Sequence, residues 1–152
     1  MRYILGIGNY LMADDSIGLR IVEHISQQGL NQDFEPVAMA DDGMRLLFYL
    51  TEETEKIVLV DAVDLGLSPG EFLLFRPSEV NSRKDLKGLT THEGDILKIL
   101  ELAKSLGKIL PPITILGIQP GCLEPGIEIS PALQKQFDIY LQVVLEEIDK
   151  DK

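Results

Sequence analysis

Positive charge, cysteine and long apolar runs are all scarce in this chain. Its 152 residues include one cysteine and two histidines, and 14 Lys and Arg stand against 25 Asp and Glu, for a formal net charge of -11. A lone Cys122 excludes an intrachain disulfide and suits a reducing compartment. The acid surplus makes nucleic acid and anionic membrane poor partners. It suits divalent cations and basic peptides, or serves only as a solubility device. No apolar run reaches the roughly 18 residues of a membrane-spanning helix. The opening MRYILGIG reads as a first strand, too short for a secretory signal. No repeat, low-complexity tract or linker divides the chain, and a hydrophobic content of 45% is enough for a packed core. The expectation is a cytoplasmic, monomeric, single domain over residues 1–152 that binds neither nucleic acid nor membrane.

Nucleotide and triad signatures are also missing. The stretch LGIGNYLMADDSIG, Leu5 to Gly18, opens as an apolar strand followed by Gly-x-Gly. A dinucleotide fingerprint needs a third glycine where Leu11 stands, and Gly18 comes too late to replace it. No G-x-x-x-x-G-K-[ST] occurs, and neither a serine nor Cys122 sits in a G-x-S-x-G elbow. A nucleotide-binding oxidoreductase built on this loop stays a minor alternative. The glycines read instead as a tight exit from the strand. One of Asp14, Asp15 and Ser16 is expected to cap the following helix, leaving a carboxylate to face the crevice.

What is present alternates strand and helix. YILGIG, FEPVAMA, KIVLVDAV, GEFLLFR and ITILGIQP read as five strands. Helices are expected from Ser16 to about Gln28, over GMRLLFYL, from about Thr91 to Ser105 and from about Pro131 to Glu147. The first should bury Ile17, Ile21, Val22 and Ile25, and the last Leu133, Phe137, Tyr140, Leu141 and Val144. Pro69-Gly70 fits the centre of a type II turn. Such alternation means an α/β fold, a three-layer α/β/α sandwich on a mostly parallel sheet. Sites in these folds lie beyond the carboxyl ends of the strands, where strand order reverses.

Three ligand-type residues fall in that zone. Asp15 follows strand one, Asp61 ends strand three in VLVDAVD, and His92 begins a helix in LTTHEGD. Asp61 either turns the chain or works: an acid after four apolar residues is costly to bury without a partner. Thr90-x-x-Glu93 forms a capping box that puts His92 in the first helical turn. The positive helix end there disfavours imidazolium, and neutral imidazole is the form that binds metals. Two carboxylates and one imidazole suit a borderline divalent cation with open positions. A polar surface role for His92 is the competing reading. His24 lies off its helix's apolar stripe and reads as solvated, and Cys122 as a buried thiol or a distant ligand candidate.

The segments GIGNYLMADDSIG, IVLVDAVDLGLSPGE, LTTHEGD and ILGIQPGCLEPG, in this order and spacing, resemble the nickel-iron hydrogenase maturation endopeptidases. The likeness runs from Met1 to about Leu145. It implies a five-stranded sheet of order 2-1-3-5-4 with strand four antiparallel. It also implies an activity: trimming a short C-terminal extension from the hydrogenase large subunit precursor after nickel insertion. The nickel would arrive with the precursor, the resting enzyme being metal-free, and the residues matching the family's metal contacts are Asp15, Asp61 and His92. These would be both the catalytic and the metal-binding residues of a metal-dependent or aspartic-type peptidase. A non-catalytic nickel checkpoint that only holds the precursor is the alternative from another class. Two departures stand out: MADDGM, with Asp41 and Asp42, replaces a family Asp-Gly-Gly-Thr/Ser run associated with partner choice, and Asp15 stands where Glu is frequent. Acids at Asp14, Asp41, Asp42, Asp64 and Glu124 are expected to form a rim that favours a basic tail. The polar stretch SEVNSRKDLKGLT is expected to act as a flap leading into His92.

Overall fold

The computed structural model describes residues 1–80 and 91–151, without the side chains of residues 80 and 91–95. Five strands alternate with helices: β1 (Arg2–Ile7), β2 (Phe34–Ala40), β3 (Lys56–Ala62), β4 (Phe72–Phe75) and β5 (Ile113–Ile118). The α-helices are α1 (Ile17–Gln27), α2 (Pro77–Val80), α3 (Thr91–Ser105) and α4 (Pro131–Asp149). Two 3₁₀ turns, η1 (Ala13–Ser16) and η2 (Gly43–Tyr49), complete the order. One sheet runs β2-β1-β3-β5-β4. Its strands are parallel except β4, which pairs antiparallel with β5. The expected α/β/α sandwich with order 2-1-3-5-4 is therefore the observed one.

Strand periodicity explains the two cores. Successive side chains point to opposite faces. Ile4, Val58, Val60, Leu116 and Ile118 thus meet α1 and α4, through Ile17, Ile21, Ile25, Tyr140 and Val144. Leu5, Ile57, Leu59 and Ile115 meet the η2 and α3 side, through Leu46, Leu50, Ile99 and Ala103. Phe137, expected in the core, only packs against its margin. The turn into β4 is as expected: Gly70 has φ 91°, and the Glu71 amide donates to the Ser68 carbonyl at 3.0 Å. The GMRLLFYL helix forms as 3₁₀, and the short α2, opened by Pro77, was not anticipated. No helix among the described residues is long and apolar enough to cross a membrane.

At the amino end of the sheet, two buried cations hold the end of α4. Arg2 donates to the carbonyl of Ile148 at 2.7 Å and pairs with Asp149 at 3.0 Å. Lys56 reaches the carbonyls of Glu147 and Lys150. These bonds satisfy the last carbonyls of a helix, which carry its negative pole. The opposite end of the sheet is left to the loops that form the candidate site.

Candidate functional site

Between β1 and β3 the chain switches sides of the sheet, and the segments leaving both strands converge. The approach is backbone on backbone. A Cβ at Gly18 would stand 2.2 Å from the Val60 carbonyl oxygen and 2.8 Å from that of Ile7. Gly8 has φ 145°, and a Cβ there would meet the Asp15 carbonyl at 1.9 Å. Side chains at these positions would push η1 away from the strand ends. Without them, η1 packs against β3 and brings Asp15 to the strand that carries Asp61. Both acids are buried, Asp15 at 7% and Asp61 at 3% exposure. Both carboxyl oxygens of Asp61 are inaccessible to water.

The amides of Gly8, Asn9, Leu11 and Met12 are bonded within the chain. A phosphate cradle needs backbone N–H groups aimed outward. Here the Asn9 amide donates to Asp15 Oδ2 at 3.0 Å and the Leu11 amide to Asn9 Oδ1 at 2.9 Å. The Gly8 and Met12 amides bond the carbonyls of Ala40 and Asn9. A carboxylate of the chain itself, that of Asp15, accepts the amide that would face such an anion.

Asp14 takes a different role from the expected one. It is fully buried, and therefore no part of the acidic rim. Its carboxylate accepts four hydrogen bonds: from the amides of Gly121 at 2.7 Å, Cys122 at 2.8 Å and Ser130 at 2.6 Å, and from the Ser130 hydroxyl at 2.7 Å. Asp41, Asp42, Asp64 and Glu124 are exposed as expected. No side-chain cap forms on α1. Ser16, at its N-cap, turns its hydroxyl back to the Ala13 carbonyl at 2.7 Å. The cap is unnecessary because η1 runs straight into α1, and the Ile17 amide is taken by the Asp14 carbonyl.

His92 lies in the first turn of α3, as its spacing predicts. Its side chain, the capping box of Thr90 and Glu93, and residues 81–90 of the expected flap lie outside the described residues. No cluster of three metal-binding side chains occurs among the described ones. The structure thus brings the elements of Asp15 and Asp61 together and places the backbone of His92 at a helix start. His24 is not simply solvated: it is half-buried and meets the Phe137 ring edge-on at 5.4 Å.

Gln119 was also missed. It is buried at the end of β5, and its Oε1 accepts the amides of Leu65 at 2.6 Å and Leu67 at 3.2 Å. It thereby fastens the loop that follows Asp61. Neither Asp14 nor Gln119 carries a local signal, since their partners lie dozens of residues away.

Comparison with known proteins gives one consistent result. The sequence model described as "Hydrogenase maturation protease" matches residues 19–147. The chain is 31% identical over 147 residues to a hydrogenase expression/formation protein, HupD, of Rhodobacter capsulatus, covering 95% of this chain and 70% of that one. It is 29% identical over 143 residues to the hydrogenase 2 maturation protease of Escherichia coli K12, covering 93% and 87%. The solved hydrogenase maturating endopeptidase HybD from E. coli superimposes with a TM-score of 0.81 at 26% identity, over 96% of this chain and 90% of that one.

Proposed function

The chain belongs to the hydrogenase maturation protease family, and from that membership we propose that it removes a short C-terminal extension from a nickel-loaded hydrogenase large subunit precursor. The observation that supports this reading is the pair of buried acids, Asp15 and Asp61, on elements packed together at the carboxyl ends of β1 and β3. Neighbouring carboxylates repel each other, and a divalent cation relieves that repulsion.

The cation is the precursor's own nickel, which enters as part of the substrate. Asp15 and Asp61 offer hard oxygen donors and His92 a borderline nitrogen donor, a set suited to such an ion with positions left open. These residues hold the nickel and so hold the adjoining peptide bond. Held there, the ion would supply Lewis acidity toward the scissile carbonyl; in the alternative, aspartic-type route, Asp15 or Asp61 would take a proton from the attacking water. Precursor without nickel has no anchor and stays uncut. The exposed acids Asp41, Asp42, Asp64 and Glu124 suit a basic extension.

The test mixes purified protein with nickel-loaded and nickel-free precursor and follows the precursor's mass. Loss of a C-terminal fragment from the loaded form alone is the expected result. Tight binding without any mass loss would instead make the protein a checkpoint that holds the precursor for another protease. Equal cleavage of both forms would remove nickel from recognition.

A further inference from the structure

The tandem acids Asp14 and Asp15 divide their labour. Successive residues in a 3₁₀ turn project about 120° apart, so the two carboxyls point different ways. Asp14 points into the protein and gathers four donors from a segment more than a hundred residues away. Those donors sit at both ends of the irregular stretch between β5 and α4: Gly121 and Cys122 at its start, Ser130 at the N-cap of α4. One carboxylate therefore closes that loop and pins it to η1. Backbone bonds run beside it, from the Ala13 amide to the Gly126 carbonyl at 2.8 Å and from the Asp14 amide to the Cys122 carbonyl at 3.0 Å.

Left alone, η1 has little to hold it. It spans four residues, lacks a side-chain cap, and begins at Ala13 with φ 46°, a left-handed conformation that alanine adopts only when its surroundings impose it. An acceptor-only group suits the junction. Asparagine would turn an NH₂ toward converging N–H groups and lose the match.

We propose that Asp14 is a positioning residue for the processing reaction: by clamping η1 to the Gly121–Ser130 loop it fixes where Asp15 presents its carboxylate to the substrate. This rests on Asp15 acting on the precursor as described above. The Asn9 amide, bonded to Asp15 Oδ2, reports that placement directly.

Two variants test it, Asp14→Asn and Ser130→Ala. The second removes one of four donors and leaves three backbone amides in place, so it carries the test if the first does not fold. Each is studied at a temperature where circular dichroism shows it fully folded. Hydrogen exchange at Asn9 should accelerate by about tenfold or more, with β3 amides unchanged. Cleavage at saturating nickel-loaded precursor should fall on the order of 100-fold for Asp14→Asn, the scale expected of a misplaced reacting group, and less for Ser130→Ala. Precursor affinity should hardly change in either. Unaltered Asn9 protection, or wild-type cleavage by the folded variants, would overturn the proposal and leave Asp14 a purely structural clamp. So would wild-type cleavage by an Asp15→Ala control, because Asp14 would then have nothing to position. If the wild-type protein itself cuts no precursor, the proposed activity fails, and unaltered Asn9 exchange still separately refutes the positioning of Asp15 by Asp14.

Discussion

The α-carbon of Gly18 faces the carbonyl oxygen of Val60 so closely that a Cβ would lie 2.2 Å from it. Val60 immediately precedes Asp61, and Gly18 follows Asp15 by three residues. The distance between the first turn of α1 and the end of β3 therefore sets the distance between the two acids. Glycine at 18 is a condition of the site as well as of the fold.

Gly18→Ala should be destabilising by about 1–3 kcal/mol or more, since backbone oxygens cannot rotate away from the new methyl. Processing should fall with it. Gly29→Ala is the contrast: φ is 62° with nothing within 4 Å, so only backbone strain of about 1 kcal/mol is expected, with processing intact. Urea midpoints compared with cleavage rates check both.

Asp61→Asn should abolish processing and spare the fold. Asparagine keeps the shape but not the charge, and loss of a general base or a metal ligand costs on the order of 10²–10⁴-fold in rate. The melting temperature should stay within about 4 °C of wild type, the shift a change near 1 kcal/mol produces in a domain this size. Near-normal cleavage would remove Asp61 from the chemistry.

Tyr140→Phe probes the core beneath the clamp. The buried phenol donates to the Gly70 carbonyl at 2.5 Å. Burial first, and then the charge of Asp14, push its pKa from 10.0 up to about 12. A raised pKa means the folded state favours the protonated phenol. That contribution is complete below pH 10 and disappears as pH rises toward 12. The variant should lose about 1–2 kcal/mol at neutral pH, leaving Gly70's carbonyl without its donor. It should also show a shallower loss of stability in alkali. Denaturant melts across pH 8.5 to pH 12 in both proteins check the sign.

Arg2→Ala should weaken the fold without touching the chemistry. Arg2 is 7% exposed, and its guanidinium ties β1 to the end of α4 through the Ile148 carbonyl, at the end of the sheet opposite the acids. Its removal should cost about 1.5–3 kcal/mol, the worth of charge-assisted hydrogen bonds in partial burial. Cleavage at 25 °C should match wild type.

Much of the fold was legible in the sequence because its signals are local. FEPVAMA forms β2 with the bounds expected, and α3 spans Thr91–Ser105 as its spacing predicts. Apolar continuity marked β1 and β3 as strands covered on both faces, and the cores bear that out. Local patterning also placed Asp15 just after β1 and Asp61 at the carboxyl end of β3. It could not say which acid of the Asp14-Asp15 pair bonds the Gly121–Ser130 loop, since a carboxylate that caps, clamps or binds a cation looks the same in one dimension.

By itself, the sequence determined the strands and helices, the places of Asp15 after β1 and Asp61 at the carboxyl end of β3, and the family. Those follow from periodicities of two and 3.6 residues and from short motifs, all of which act between near neighbours. Only the tertiary structure decided that Asp14 is a buried acceptor for Gly121, Cys122 and Ser130, that Gln119 holds the loop after Asp61, and that Gly18 rests on Val60. Each of these joins residues distant in the chain through a hydrogen bond or a close backbone contact. Their partners are chosen by how the sheet and helices pack, and no short stretch of sequence contains that information.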